Sequence, residues 1–314
     1  MLNTPVLLII FNRPDATKKV FESIRNVKPT RLYIAADAPR SSHRTDLHKC
    51  MQARAITENI DWLCDVKRLY RNTNLGCGLA VSGAINWFFS FETQGIILED
   101  DCLPHSHFFH FASVMLDKFR DNPLIISVNG SNLGYMPVKK ESYFFSRYMN
   151  MWGWATWRDR AMGIDYEMKK WKFTKNQNLW LYQKMKQYLF DFDVNWYRLW
   201  KSKFDLVSKD INFTWDWQWI HYQISNSKLS VVPSANLVSN IGFDFDGTHT
   251  HAKDNPAANI PVQAIAQPYL HPTIIKPDIV YEEQFIKWVW CYHKRLSIFF
   301  YLKQYMSRLL GRNV

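Results

Sequence analysis

Three consecutive acids, Glu99-Asp100-Asp101, close the apolar run Gly95-Ile96-Ile97-Leu98. Carboxylates crowded at a strand end repel one another and cost stability unless positive charge sits among them. A hard divalent cation with oxygen ligands supplies that charge. Extended backbone turns Glu99 and Asp101 to one side and Asp100 to the other. One side would then hold a cation while the other bonds a hydroxyl. The plain alternative is an acidic cap on a helix beginning near His105.

Other residues invite chemistry singly. Asp216 lies between Trp215 and Trp217, with Trp219 close by. A carboxylate among indoles is partly desolvated, so its pKa is expected to rise toward a general-base value. The alternative is an acid in the first turn of a helix, favoured by the helix dipole. His249 and His251, in a Gly/Asp/His loop, are candidate ligands for a metal or a phosphate. Trp152, Trp154 and Trp157 offer indole faces on which a sugar would stack, or else belong to the core. Gly76-Cys77-Gly78 opens a helix after a strand, but Val81 stands where a dinucleotide fingerprint needs a third small residue. No phosphate-binding G-x-x-x-x-G-K-[ST] run exists either. The turn would still let a ribose or phosphate approach the backbone.

Positioning these groups falls to a simple rhythm. Val6 to Phe11 is a continuous apolar run, as in a strand buried on both faces. Asn12-Arg13-Pro14-Asp15 breaks it, with Asp15 as the expected helix N-cap. Strands follow at 31–36, 66–71 and 95–98, separated by helices at 46–60 and 79–91. Alternation of this kind means an α/β fold with a parallel sheet under covering helices. Ligands then bind outside the carboxyl ends of the strands. Asn12, Arg13, Asp37, Asn74, Glu99, Asp100 and Asp101 all fall at such ends. Beyond them, strands are expected at 124–129, 143–145 and 229–232, a Trp-rich loop at 151–158, and helix over 166–203.

The chain has 314 residues, 47% of them hydrophobic and 21% charged, enough for a sizeable core. No run is apolar enough to span a bilayer, and Met1-Leu2-Asn3-Thr4-Pro5 lacks the basic start of a secretory leader. Five cysteines, none spaced as CxxC, disfavour a disulfide framework and a thiolate zinc site and suggest a reducing, cytoplasmic setting. A net charge of +11 favours an anionic partner. Residues 252–277 hold five of the 13 prolines and read as a linker. The expected division is a catalytic domain at 1–255, a Pro-rich linker at 256–282 and a basic aromatic helix at 283–314. That last segment interleaves Trp288, Trp290, Phe299 and Phe300 with Lys287, Lys294, Arg295, Lys303, Arg308 and Arg312. It suits the inner face of an anionic membrane.

Phe11-Asn12-Arg13-Pro14, Asp37, the Asn74-Leu75-Gly76 turn, Leu98-Glu99-Asp100-Asp101 and Trp152-Gly153-Trp154-Ala155-Thr156-Trp157-Arg158 together resemble the GT-A fold glycosyltransferases, the nucleotide-diphospho-sugar transferase superfamily. The triplet looks like the Glu-Asp-Asp form of the DxD motif found in N-acetylglucosaminyltransferase-like enzymes. The resemblance spans about residues 5–250. It implies a Rossmann-like, mixed and mostly parallel sheet. It implies an inverting, metal-dependent transfer from a UDP-sugar or other nucleotide sugar to a glycan or lipid-linked acceptor. Asp101 and His249 would hold Mn²⁺ or Mg²⁺. Phe11, Arg13, Asp37, Asn74, Gly78, Glu99 and Asp100 would bind the nucleotide sugar, Trp152 and Trp154 the substrate, and Asp216 would be the catalytic base. The chain departs from the family in having a single acid, Asp216, where relatives carry two adjacent ones.

Three competitors are weaker on the sequence. A nucleotidyltransferase would carry a Gly-rich basic loop directly after the first strand, and Asn12-Arg13-Pro14-Asp15 is short and lacks glycine. A nucleic-acid binder would cluster its basic residues in a stripe, whereas here they are spread. An inactive scaffold of the same fold is the third.

Overall fold

The computed structural model describes residues 1–138, 140–188, 194–243 and 257–285. The first half alternates as the apolar runs require: β1 (Val6–Ile10), α1 (Pro14–Val27), β2 (Arg31–Ala36), α2 (Asp46–Ile56), β3 (Asp65–Tyr70), α3 (Gly76–Phe91) and β4 (Gln94–Glu99). There follow β5 (Cys102–Pro104), α4 (Ser106–Lys118), β6 (Ile125–Asn129), β7 (Tyr143–Ser146), β8 (Trp154–Trp157) and α5 (Arg158–Ala161). A helical group comes next: α6 (Lys169–Phe173), α7 (Gln177–Tyr188), α8 (Val194–Lys209) and α9 (Trp217–Ser225). Two late strands, β9 (Leu229–Pro233) and β10 (Val238–Asn240), complete the described elements.

Eight strands form one mixed, mostly parallel sheet in the order β3-β2-β1-β4-β8-β6-β9-β7. The first four are mutually parallel, and β8 and β7 run against their neighbours. The fold class expected from the alternation is the one observed. β1 leads by α1 to β2 on one side, while the chain reaches β4 on the other. The β1/β4 seam is therefore the point where strand order reverses, and ligands of open α/β sheets bind at the carboxyl end of such a seam. Ile9 pairs with Glu99 across it.

Alternating side chains of the central strands feed two cores. Val6, Leu8, Ile10, Leu32 and Ile34 face α1 and α4, with Val20, Phe21, Phe108 and Phe111. Leu7, Ile9, Tyr33 and Ile97 face α3 and the later helices, with Phe88, Phe89, Trp154, Phe204 and Trp219. Phe88 and Phe89 are fully buried, so truncating either to alanine would cost about 3–5 kcal/mol.

Three local expectations change. The Trp-rich segment is not a loop: Trp154–Trp157 is β8, an antiparallel strand between β4 and β6. Its four residues are buried on both faces, and tryptophan and threonine suit that setting. Asp15 is not the N-cap of α1; Arg13 occupies that position and Asp15 lies in the first turn. The short strands β5 and β10 pair with each other and were not foreseen.

The Pro-rich stretch is irregular in backbone but docked. The Asn259 and Gln263 amides donate to the carbonyls of Asn240 and Asn236, at 3.0 and 2.8 Å. Ile265 meets His107, Tyr269 meets His110, and Glu282 pairs with Arg147. The basic aromatic segment falls outside the described residues from position 286 onward. No helix among the described residues is long and apolar enough to cross a membrane. Cys50, Cys64, Cys77 and Cys102 are free thiols.

Candidate functional site

At the β1/β4 seam the strand geometry stops at Glu99, and Asp100-Asp101 begin a turn. The pleat therefore does not carry Asp100 to the opposite side from Asp101. One guanidinium nitrogen, Arg13 Nη1, lies 3.3 Å from Asp100 Oδ1 and 2.6 Å from Asp101 Oδ2. The Phe11 amide donates to Asp100 Oδ2 at 2.9 Å. Asp100 thus ties the end of β1 to the end of β4. Burial, offset in part by Arg13, pushes its carboxyl up to about 6. Burial also works against the charge of Arg13, yet Asp100 and Asp101 hold that guanidinium more firmly protonated than usual.

Glu99 is the unresolved charge. No hydrogen bond or ion pair among the described residues engages its carboxylate. Burial, then the charges of Asp101, Asp100 and Asp216, push it well above the usual carboxylate range, with Arg13 opposing. The side chain is only partly buried, and its carboxylate is open to a proton or a cation.

Asp216 comes to this acid cluster from the other core. It is the N-cap residue of α9, and Thr214 Oγ1 donates to its Oδ1. Its charge is felt by Glu99, by Cys77 and by Lys203. The Cys77 thiol sits among Glu99, Asp216, Arg13 and Asp101, and burial holds it protonated well above the ordinary thiol range. Asp101 has a close neighbour in Gly242: a Cβ there would stand 2.2 Å from Asp101 Oδ2. The Ile241 amide donates to the Asp101 carbonyl at 2.8 Å. Only a glycine lets this strand end approach the acid so closely.

Several sequence-derived site residues make contacts that hold the fold. Asp37 is buried and accepts from the amides of Ala38, Leu75 and Gly76 and from Asn74 Nδ2, all within 3.1 Å. It and Asn74 thus tie β2 to the first turn of α3. Burial raises the Asp37 carboxyl and those amides pull it back. Gly78, expected to admit a ribose, admits protein: its amide donates to the Asn212 carbonyl at 3.0 Å. A Cβ at position 78 would meet Ile211 O at 2.1 Å.

Trp154 is 1% exposed and packs on Trp215 and Trp219, so it offers no face to a substrate. Trp157 is equally buried and donates to the Leu116 carbonyl. Trp152 remains partly exposed, against the edge of Phe243. Phe11 carries Arg40 over its ring at 5.4 Å. His249 lies outside the described residues.

Composition and spacing did not reveal Lys203. Its Nζ stands 3.9 Å above the Trp217 ring, beside Asp216. Only the packing of α8 on α9 brings it there, and no local motif announces it.

Among the described residues no three His, Cys, Asp or Glu side chains converge into a complete metal cage. A cage is not required. Mg²⁺ and its like are commonly held by one or two carboxylates together with substrate phosphate. Glu99 and Asp101 are the residues that could hold a cation in that way.

No family model and no curated protein matches the chain. Eighty-three chains of solved structures match it. One is HddC from Yersinia pseudotuberculosis, 13% identical with a TM-score of 0.30, the match covering 50% of this chain and 77% of that one. Another is the same protein complexed with GMP-PN, 12% identical with a TM-score of 0.31 and the same coverage. The resemblance to GT-A glycosyltransferases drawn from the strand-end residues finds no match in these comparisons, and it is set aside together with the inverting sugar transfer it implied. Asp37, Asn74, Gly78, Asp100 and Trp154 all make contacts that hold the fold. At these identities and TM-scores, nothing of HddC's activity passes to this chain.

Proposed function

We propose that the chain is a metal-dependent transferase acting on a nucleotide substrate bound at the β1/β4 seam. The observation that carries the reading is the unpaired Glu99 carboxylate beside Asp101, at the carboxyl end of the seam where an α/β sheet takes its ligand. A divalent cation there would be held by Asp101 and Glu99, and when bound would offset the charge of a phosphate chain. Arg13 supplies a second, permanent positive charge at the same edge. As the transferred group leaves the phosphate chain, negative charge develops on oxygen, and a fixed cation stabilises it without reorganisation. Asp216, held by Thr214, takes the proton of an incoming hydroxyl. Trp152 and Phe243 form the apolar wall beside this edge.

A thermal-shift panel tests the reading, with UDP, GDP, dTDP and CMP each offered with Mn²⁺, Mg²⁺ or EDTA. A ligand at about a hundred times its Kd adds about 2.7 kcal/mol, a rise of roughly 5 °C for a chain of this size. The expected result is a shift that needs metal and disappears in Asp101→Asn. Absence of any metal-dependent shift across the panel would refute the reading.

A further inference from the structure

β7 is the last strand of the sheet, and two further segments are tied to it. Residues 135–138 precede it, and residues 270–280 run beside it. The Ser142 amide donates to the Leu270 carbonyl at 2.8 Å, and the Leu270 amide donates to Ser142 Oγ at 2.9 Å. Tyr143 Oη and His271 Nδ1 are 3.1 Å apart. Pro277 forms a parallel bridge with Phe145, and the Asp278 amide donates to the Phe145 carbonyl at 2.8 Å. Tyr135 Oη reaches Asp278 Oδ1 at 3.4 Å. The two segments therefore meet at the sheet edge. Met136, Val138, Leu270, Ile274, Ile279 and Val280 on them are each at least 41% exposed, and Val138 is 98% exposed. A single exposed aliphatic needs no explanation. A cluster of them in connected segments marks a surface that meets a partner.

Packing fixes the outward set. The backbone of 279–285 is helical, and Asp278 caps it by accepting from the Tyr281 amide at 3.1 Å. Tyr281 is fully buried, Phe285 stacks on Tyr148 with ring centroids 4.8 Å apart, and Glu282 is held by Arg147. With those residues turned inward, Ile279 and Val280 are left facing out. The sequence that follows says what the surface meets. After Phe285 the chain has six basic residues and no acidic one, interleaved with Trp288, Trp290, Phe299 and Phe300. Beside the aliphatics, Lys140 and Lys276 are offset by Glu141 and Glu283, so the selecting charge comes from this stretch. Residues 1–285 are themselves net positive, so charge does not draw the basic stretch back over its own body. A second copy would bring the same charge to the same face, and like charges oppose that pairing. An anionic lipid surface answers both the charge and the apolar residues.

We propose that the face formed by 136–138 and 270–280 seats on an anionic lipid surface. Its aliphatic side chains enter the headgroup layer, and the basic residues after 285 bind the headgroups. One such signal alone gives weak, reversible attachment, whereas an apolar insertion joined to a polybasic stretch gives a stable one. β7 lies four strands from β4, about 19 Å across the sheet at ordinary strand spacing. The attached face and the β1/β4 seam are thus separate surfaces, and the proposal stands independently of the nucleotide reading.

Flotation of the full chain with unilamellar vesicles tests this. Phosphatidylcholine vesicles are compared with vesicles in which about a third of the lipid is phosphatidylglycerol. The wild type should bind the anionic vesicles about tenfold more than the neutral ones, and high salt should weaken that binding. Ile274→Asp combined with Val280→Asp should cut it about tenfold. Leu47→Asp combined with Met51→Asp, an equally exposed pair on α2, should leave it unchanged. A second measurement needs no variant: hydrogen exchange at the amides of 274–276 and 279–280 should slow in the wild type on anionic vesicles, and exchange along α2 should not. A wild type without preference for anionic vesicles overturns the proposal. So does undiminished binding in the Ile274→Asp, Val280→Asp chain, or exchange at 274–280 indifferent to vesicles. A dimer in solution that the same two substitutions dissolve also overturns it, because the face then meets a second copy.

Discussion

Arg13 Nη1 lies 2.6 Å from Asp101 Oδ2 and 3.3 Å from Asp100 Oδ1, so a single nitrogen bridges two consecutive acids at the end of β4. The guanidinium comes from the residue capping α1, so the bridge also joins β1 to β4. Replacing it with methionine leaves three crowded carboxylates without their cation. Arg13→Met should lose about 3 kcal/mol of stability at neutral pH, the order measured when one partner of a buried pair is removed. The loss should shrink at pH 5, where protonation relieves the repulsion. Urea denaturation at the two pH values checks both statements.

Gly242 gives a sharper probe of the same acid. A methyl group there would stand 2.2 Å from Asp101 Oδ2 and 2.8 Å from its Cβ. Gly242→Ala must push the Asp101 side chain aside. The expected outcome is a loss of metal-dependent nucleotide binding of at least tenfold, with the sheet intact by circular dichroism. Full retention of binding would show that the position of Asp101 is not critical.

Gly78→Ala tests the contact between α3 and the loop before α9. The new Cβ would meet Ile211 O at 2.1 Å and Asn212 backbone at 2.9 Å, and neither is a flexible side chain. Overpacking of this kind costs about 1–3 kcal/mol. A lowered denaturation midpoint with an unchanged m-value is the expected signature.

His221 supplies a pH dependence away from the acids. It is buried in the ring cluster of Trp171, Trp180 and Phe204. Burial holds its pKa down to about 4, with Asp165 and Lys170 acting in opposite directions. In the unfolded chain it titrates near 6.5. Above that pH both states are neutral and His221 has no effect on pH dependence. Between 6.5 and 4 the unfolded chain takes the proton first, so stability falls with falling pH by roughly 2–3 kcal/mol. His221→Phe should abolish that part of the slope, as measured by denaturant midpoints from pH 7 to 4.5.

The sheet's first half was legible because its strands are unbroken aliphatic runs, such as Val6–Ile10, punctuated by polar strand ends. The Trp-rich β8 was not, because glycine and tryptophan together signal a turn while the neighbours β4 and β6 supply the burial that makes a strand. The acid triplet was legible as a charge problem; that one arginine solves most of it was not, since Arg13 and Asp101 are 88 positions apart. Asp37 and Gly78 carry no mark of what they engage, because polar strand ends and small residues look alike whether they serve ligand or backbone. Lys203 was invisible because a lysine on a helix carries no mark of what the helix packs against.

The carbonyl of Asn212 holds the Gly78 amide, and Asp216 follows four residues later. Asp216, the proposed proton acceptor, is thus moored to the leading end of α3, whose first turn Asp37 fastens to β2. A disturbance at β2 is therefore expected to reach Asp216 along a short covalent and hydrogen-bonded span, without crossing the sheet. An anion that competes for the Gly78 amide would have to cast off Asn212 and take Asp216 out of alignment.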